Sequence, residues 1–115
     1  MIPGIVGVPV AHPTTEFTLE QCLNLCTKHG YAVLEHLAET AIRQKAIARA
    51  TKRGWNKGWT YMRYNRHVKL ATVRALKRLG LVEFCCEGHA GTDLVRISHK
   101  GIELLEHVRG EEILA

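Results

Sequence analysis

Between positions 43 and 79 the chain contains no aspartate or glutamate. Asp93 is its only aspartate and Ser98 its only serine. The three prolines, Pro3, Pro9 and Pro13, all fall near the start. No apolar run approaches the roughly 20 residues that span a bilayer. The apolar segment 1–10 lacks the basic start of a signal peptide. These absences predict a soluble, cytoplasmic chain with no membrane partner. They also weaken enzyme readings. There is no glycine-rich phosphate loop and no paired His-Glu zinc motif. Ser98 sits where a helix cap is needed, which leaves no serine for a nucleophile elbow. A two-metal nuclease needs carboxylates beside its basic surface, and this chain keeps the two apart. No catalytic residue and no cofactor are therefore expected.

Positive charge fills the acid-free stretch. It holds Arg43, Lys45, Arg49, Lys52, Arg53, Lys57, Arg63, Arg66, Lys69, Arg74, Lys77 and Arg78. The whole chain carries 16 Lys+Arg against 11 Asp+Glu, a net +5, so the rest of the sequence is acidic. A solvated face usually mixes both signs. A block that excludes one sign builds a local field suited to a polyanion.

With 115 residues, one domain is expected. Segment 1–17 reads as an extended arm, with a short strand at 5–10. Residues 18–110 form the folded unit and 111–115 a tail. Thr18 and Gln21 fit a capping box, followed by the apolar stripe Leu19, Cys22, Leu23 and Cys26. His29-Gly30 fits a helix stop. A second helix follows over 31–41, with Val33, Leu34, Leu37, Ala38 and Ala41 on one stripe. A basic helix over 43–52 has Ala46, Ile47 and Ala50 as its apolar side. Residues 53–58 break the chain. Segment 60–79 is either one long helix or a loop and a helix, firmest over 68–79. A hairpin over 81–97 and a Ser98-capped helix with Ile102, Leu104, Leu105 and Val108 complete the order. The fold class is mainly α with a small β-hairpin, an α+β arrangement.

Two stretches carry a family resemblance. Leu70-Ala71-Thr72-Val73-Arg74-Ala75-Leu76-Lys77-Arg78-Leu79-Gly80-Leu81-Val82-Glu83 resembles a recognition helix running into the first wing strand of a winged helix-turn-helix DNA-binding domain. Leu94-Val95-Arg96-Ile97-Ser98-His99-Lys100-Gly101-Ile102-Glu103-Leu104-Leu105 is similar to the return strand and following helix of MarR-like regulators. The resemblance covers residues 43–108 and implies a transcriptional regulator binding duplex DNA. It implies a recognition helix over about 66–79 and a wing over 81–97. Lys69, Thr72 and Arg74 then lie where side chains reach base edges. Arg49, Lys52, Arg53, Lys77 and Arg78 would hold phosphates, Lys57, Arg63 and Arg66 would contact DNA among the aromatics of the insertion, and His89 and Arg96 would border the minor groove.

Single domains of this size lengthen their DNA site by pairing. A homodimer is expected, with the arm and Leu19, Leu23 and Cys26 as its contact. The sequence departs from the family at 54–65, an insertion holding Trp55, Trp59, Tyr61 and Tyr64. Those rings either pack the segment onto the domain, the favoured reading, or stack on bases. The alternative function is a phage- or plasmid-type architectural protein whose partner is a protein or single-stranded nucleic acid. A metal-sensing repressor ranks below both. It would use Cys22 and Cys26, or Cys85, Cys86 and His89, or the helical column His99, Glu103 and His107.

Overall fold

The computed structural model describes residues 16–87 and 92–113. The arm strand expected at 5–10 and the wing-tip residue His89 lie outside them. Thr18 opens helix α1 (Leu19–Leu25) with a complete capping box: its hydroxyl accepts the Gln21 N–H at 3.1 Å, and the Gln21 side-chain oxygen accepts the Thr18 N–H at 2.9 Å. The next helix begins earlier than the Gly30 stop allows. Thr27 Oγ1 accepts the Gly30 N–H at 3.0 Å, so Gly30 is the third residue of α2 (Lys28–Thr51) rather than a terminator. Its missing side chain serves close packing. A Cβ there would stand 3.1 Å from Leu76 Cδ2 and 3.2 Å from Cys26 Sγ.

Helix α2 runs for 24 residues and merges the two helices expected over 31–41 and 43–52. Its buried stripe of Leu34, Leu37, Ala38 and Ala41 continues in phase to Ala48. Ala46, Ile47 and Ala50, expected as the apolar side, are exposed instead. Treating 43–52 as a separate helix lost the phase set upstream. The helix ends at Lys52, which takes the left-handed conformation at φ 57°.

The chain then folds back. Gly58, at φ 89°, lies against Ala41, where a Cβ would meet the alanine methyl at 3.1 Å. The Gln44 amide clasps this return, donating to the Trp59 carbonyl at 3.1 Å and accepting the Gly58 N–H at 3.0 Å. Strand β1 (Thr60–Arg63) follows, which overturns the long-helix alternative for 60–79. Asn65 makes an Asx turn, its Oδ1 accepting from the His67 and Val68 amides. Helix α3 (Leu70–Arg78) comes next, shorter than the expected 66–79. A strand and a turn therefore separate α2 from α3. Among the described elements no short helix precedes α3, as a helix-turn-helix would require.

Strands β2 (Val82–Glu87) and β3 (Thr92–Ile97) form the expected hairpin, and β1 adds a third strand. The antiparallel order is β1-β3-β2. Thr60 pairs with Val95, and Val82 with Ile97. The fold is α+β, with four helices and a small antiparallel sheet. Val73 and Leu76 of α3, Leu34 and Leu37 of α2, Val95 of β3, Leu81 and Cys22 meet in one core. Helix α4 (His99–Arg109) closes it with Leu104 and Leu105, capped by Ser98, whose Oγ accepts the Gly101 N–H at 3.0 Å. Val108, expected on the apolar face, is exposed. Leu19, Leu23 and Cys26 pack against this chain's own core, and α1 lies on α4, so they are not the free face assigned to a dimer. Among the described residues no helix is long and apolar enough to cross a membrane.

Candidate nucleic-acid interface

Helix α3 starts at Lys69, whose side chain makes no capping bond. The first amides of the helix therefore keep no side-chain acceptor, and they lie at the positive end of its dipole. An open cavity of about 390 Å³ lies here, lined by His29, Arg66, His67, Lys69 and Thr72. The Asx turn delivers Arg66 and His67, and the first turn of α2 delivers His29. All the charge that these five side chains can carry is positive. The chemistry of this lining suits an oxyanion such as a phosphate.

Arg74 and Arg78 are exposed along α3, and Arg63 is exposed on β1. Val73 and Leu76 turn the opposite face of α3 into the core. Lys77 is engaged locally, its ammonium 5.0 Å above the Phe84 ring. Arg96 is also engaged. Its guanidinium meets Glu83 at 2.8 Å and lies 4.6 Å from the centre of the Trp59 ring.

The basic block that is continuous in sequence is divided in space. Arg49, Lys52 and Arg53 are exposed at the far end of α2. At 1.5 Å per residue, Arg49 stands about 30 Å along the helix from His29. Lys57 lines a different cavity, of about 250 Å³, with Trp55, Arg96 and His99. The structure thus gathers Arg66, Lys69 and Thr72 at one cavity, which Arg63, Arg74 and Arg78 do not line. It does not bring Arg49, Lys52, Arg53, Lys57 or Arg96 to the same place. His29 and His67 were absent from the sequence-based set. The only signal for them was their nearness to Arg66 and Lys69, which requires knowing that α2 begins beside α3.

Three of the four inserted aromatics pack internally. Trp55 lies under the Lys45 ammonium at 5.2 Å, Trp59 under Arg96, and Tyr64 donates to Asp93 at 2.6 Å. Tyr61 is 64% exposed and points to no such partner. Burial pushes the Tyr64 hydroxyl well above the ordinary phenol range. Its bond to Asp93 and the Asp93 charge add to this, and the nearby Arg74 charge opposes it.

The thiol pair in α1 is built into the core. Cys22 is fully buried and its Sγ–H donates to the Leu79 carbonyl at 3.6 Å. Burial, with Cys22 beside it, raises the Cys26 thiol above its usual value, which disfavours the thiolate a metal needs. The column on α4 is divided: His99 faces Glu103 at 4.0 Å, while His107 turns to Glu20 of α1 at 3.4 Å. Among the described residues no three His, Cys, Asp or Glu side chains gather where a metal ion would sit.

No protein-family model, curated protein or solved structure matches this chain.

Proposed function

We propose that this chain is a small cytoplasmic DNA-binding regulator of transcription that grips duplex DNA through the first turn of α3. The reading keeps the winged-helix comparison for α3 and the β2–β3 hairpin, with β1 and the Asx turn in place of the usual preceding helix. The observation that carries it is the cavity lined by Arg66, Lys69, His29, His67 and Thr72, with no acidic side chain among them, at the start of α3, whose N-cap makes no side-chain bond. A phosphate seated there fixes the helix against the backbone, and Arg74 then extends toward base edges. Arg63 and Arg78 add phosphate contacts on either side.

The test is fluorescence anisotropy on labelled duplexes and single strands across a salt series. The expected result is duplex binding that weakens steeply with salt, by about 0.9 in log–log slope per neutralised phosphate. A preferred sequence within a random duplex pool supports a regulator. Binding that ignores salt rejects the reading. A second reading rests on Tyr61, exposed beside Arg63 on an edge strand, which suits stacking on an unpaired base. Retention of single strands alone would favour it.

A further inference from the structure

The far half of α2 carries an apolar stripe that no part of the described chain covers. Ile42 is 38% exposed and Ile47 56%, with Ala46 and Ala50 exposed between and beside them. Charge brackets this stripe in an ordered way. Glu39, Ile42, Ala46 and Arg49 recur at spacings of three, four and three, which is the seam of a helix pair. Acid lies at one end of the seam and base at the other, with Ile42 and Ala46 between them and the exposed Arg43 beside them. Among the described residues Glu39, Arg49 and Arg53 enter no ion pair, whereas Glu35, one turn before Glu39, is held by Arg109 at 3.1 Å.

We propose that this face of α2 pairs with the same face of a second copy, antiparallel, about a two-fold axis between Ile42 and Ala46. Self-complementarity decides the orientation. In the antiparallel register Ile42 rests on the partner's Ala46, and Glu39 meets the partner's Arg49, twice by symmetry. A parallel pair would set Glu39 on Glu39 and Arg49 on Arg49, with like charges opposed. The Ala46 methyl lets the two helices approach at the short end of the 8–10 Å range. Ile47 and Ala50 extend the apolar contact to one side. The seam from Glu39 to Arg49 is about 15 Å long, so it buries less than the roughly 800 Å² per partner of a standard interface. The dimer is correspondingly weak and salt-sensitive. The assignment gives Arg49 an acidic partner of its own, away from the α3 cavity.

Sedimentation velocity of the full chain without nucleic acid tests this, so its outcome is independent of the DNA reading. A concentration-dependent dimer is expected at low salt. Glu39→Arg and Arg49→Glu should each raise its dissociation constant roughly tenfold, since each turns two attractions into two repulsions. The double variant Glu39→Arg/Arg49→Glu should return to within about threefold of the natural chain. These positions are exposed, and unchanged melting temperatures establish that the variants fold. A monomer at every concentration overturns the proposal, as does a dimer indifferent to either single swap or not rescued by the double. A chain that dimerises only after removal of residues 1–15 would assign the face to that segment and likewise overturn it.

Discussion

Tyr64 and Asp93 join the segment that leads into α3 to the start of β3, at the turn end of the β2–β3 hairpin, through one hydrogen bond of 2.6 Å. Asp93 is the only aspartate of the chain, and Arg74 is close enough to act on the same phenol. The bond thus holds a hairpin strand and the arginine-bearing helix in one arrangement. Replacing Tyr64 with Phe leaves a part-buried carboxylate without its donor. We expect a loss of about 1–2 kcal/mol. For a domain of this size that is a fall of roughly 4–8 °C per kcal/mol in melting temperature, read by circular dichroism.

The same bond predicts a pH dependence. The Tyr64 hydroxyl is raised in the folded state above its unfolded value near 10. A raised value means the folded chain keeps its proton longer than the unfolded chain does. The stabilisation is fully present below about pH 10 and is lost as pH climbs through the folded value. Melting temperature plotted against pH should fall more steeply above pH 10 in the natural chain than in Tyr64→Phe. Parallel curves would show that the phenol does not titrate with folding.

The cavity at the start of α3 predicts which cations set salt dependence. Arg66→Ala and Lys69→Ala should each weaken duplex binding and lower the salt slope by about one. Arg49→Ala, about 30 Å away along α2, and Arg53→Ala, just past its end, should leave the slope per bound protomer unchanged. Equal slopes in all four variants would move the phosphate contacts elsewhere.

Arg74 and Lys77 should separate in behaviour. Arg74 is exposed on α3, and its removal should cost about 1–3 kcal/mol of discrimination between preferred and scrambled duplexes. Lys77 lies over Phe84 of β2, so Lys77→Ala should lower stability by about 0.5–1 kcal/mol and change affinity little. Paired anisotropy and thermal melts of the two variants check both statements.

Gly101 is a packing residue. A Cβ there would collide with the Leu81 carbonyl oxygen and stand 2.7 Å from Ile97 Cγ1. The obstacle includes backbone, so neighbouring side chains cannot relieve it. Gly101→Ala should cost about 3 kcal/mol or more, measured by urea denaturation.

Helices that carry their own caps were readable from sequence. Thr18 with Gln21, and Ser98 before α4, each announced a start through a side-chain acceptor three residues ahead of an amide. The stripe of Val73, Leu76 and Leu79 identified the core face of α3 in the same way. Gly30 misled, because Thr27 caps a helix that runs through it, and a glycine chosen for close approach looks like one chosen for a turn. Strand β1 was hidden because Thr60, Tyr61 and Met62 are few, and its partner Leu94 lies more than 30 positions away. Non-local pairing of that kind leaves no local pattern. The candidate site was legible as a charge excess and illegible as a place. Which of the cations share a face depends on where α2 ends and the chain turns back, and Gly58 against Ala41 decides that.

Both tryptophans sit in the segment that Gln44 clasps against the far half of α2, each beneath a cation. The chain therefore carries a built-in optical probe of one end only. Lys45 and Arg96 are close enough to the indole rings for their charges to act on the excited states, so emission wavelength reports the loop's closure on α2. A phosphate arriving near His29 and Lys69 leaves that signal unaltered, while loosening of the Trp55–Trp59 return changes it. Fluorescence thus reads the far half of α2 separately from α3, without any label attached.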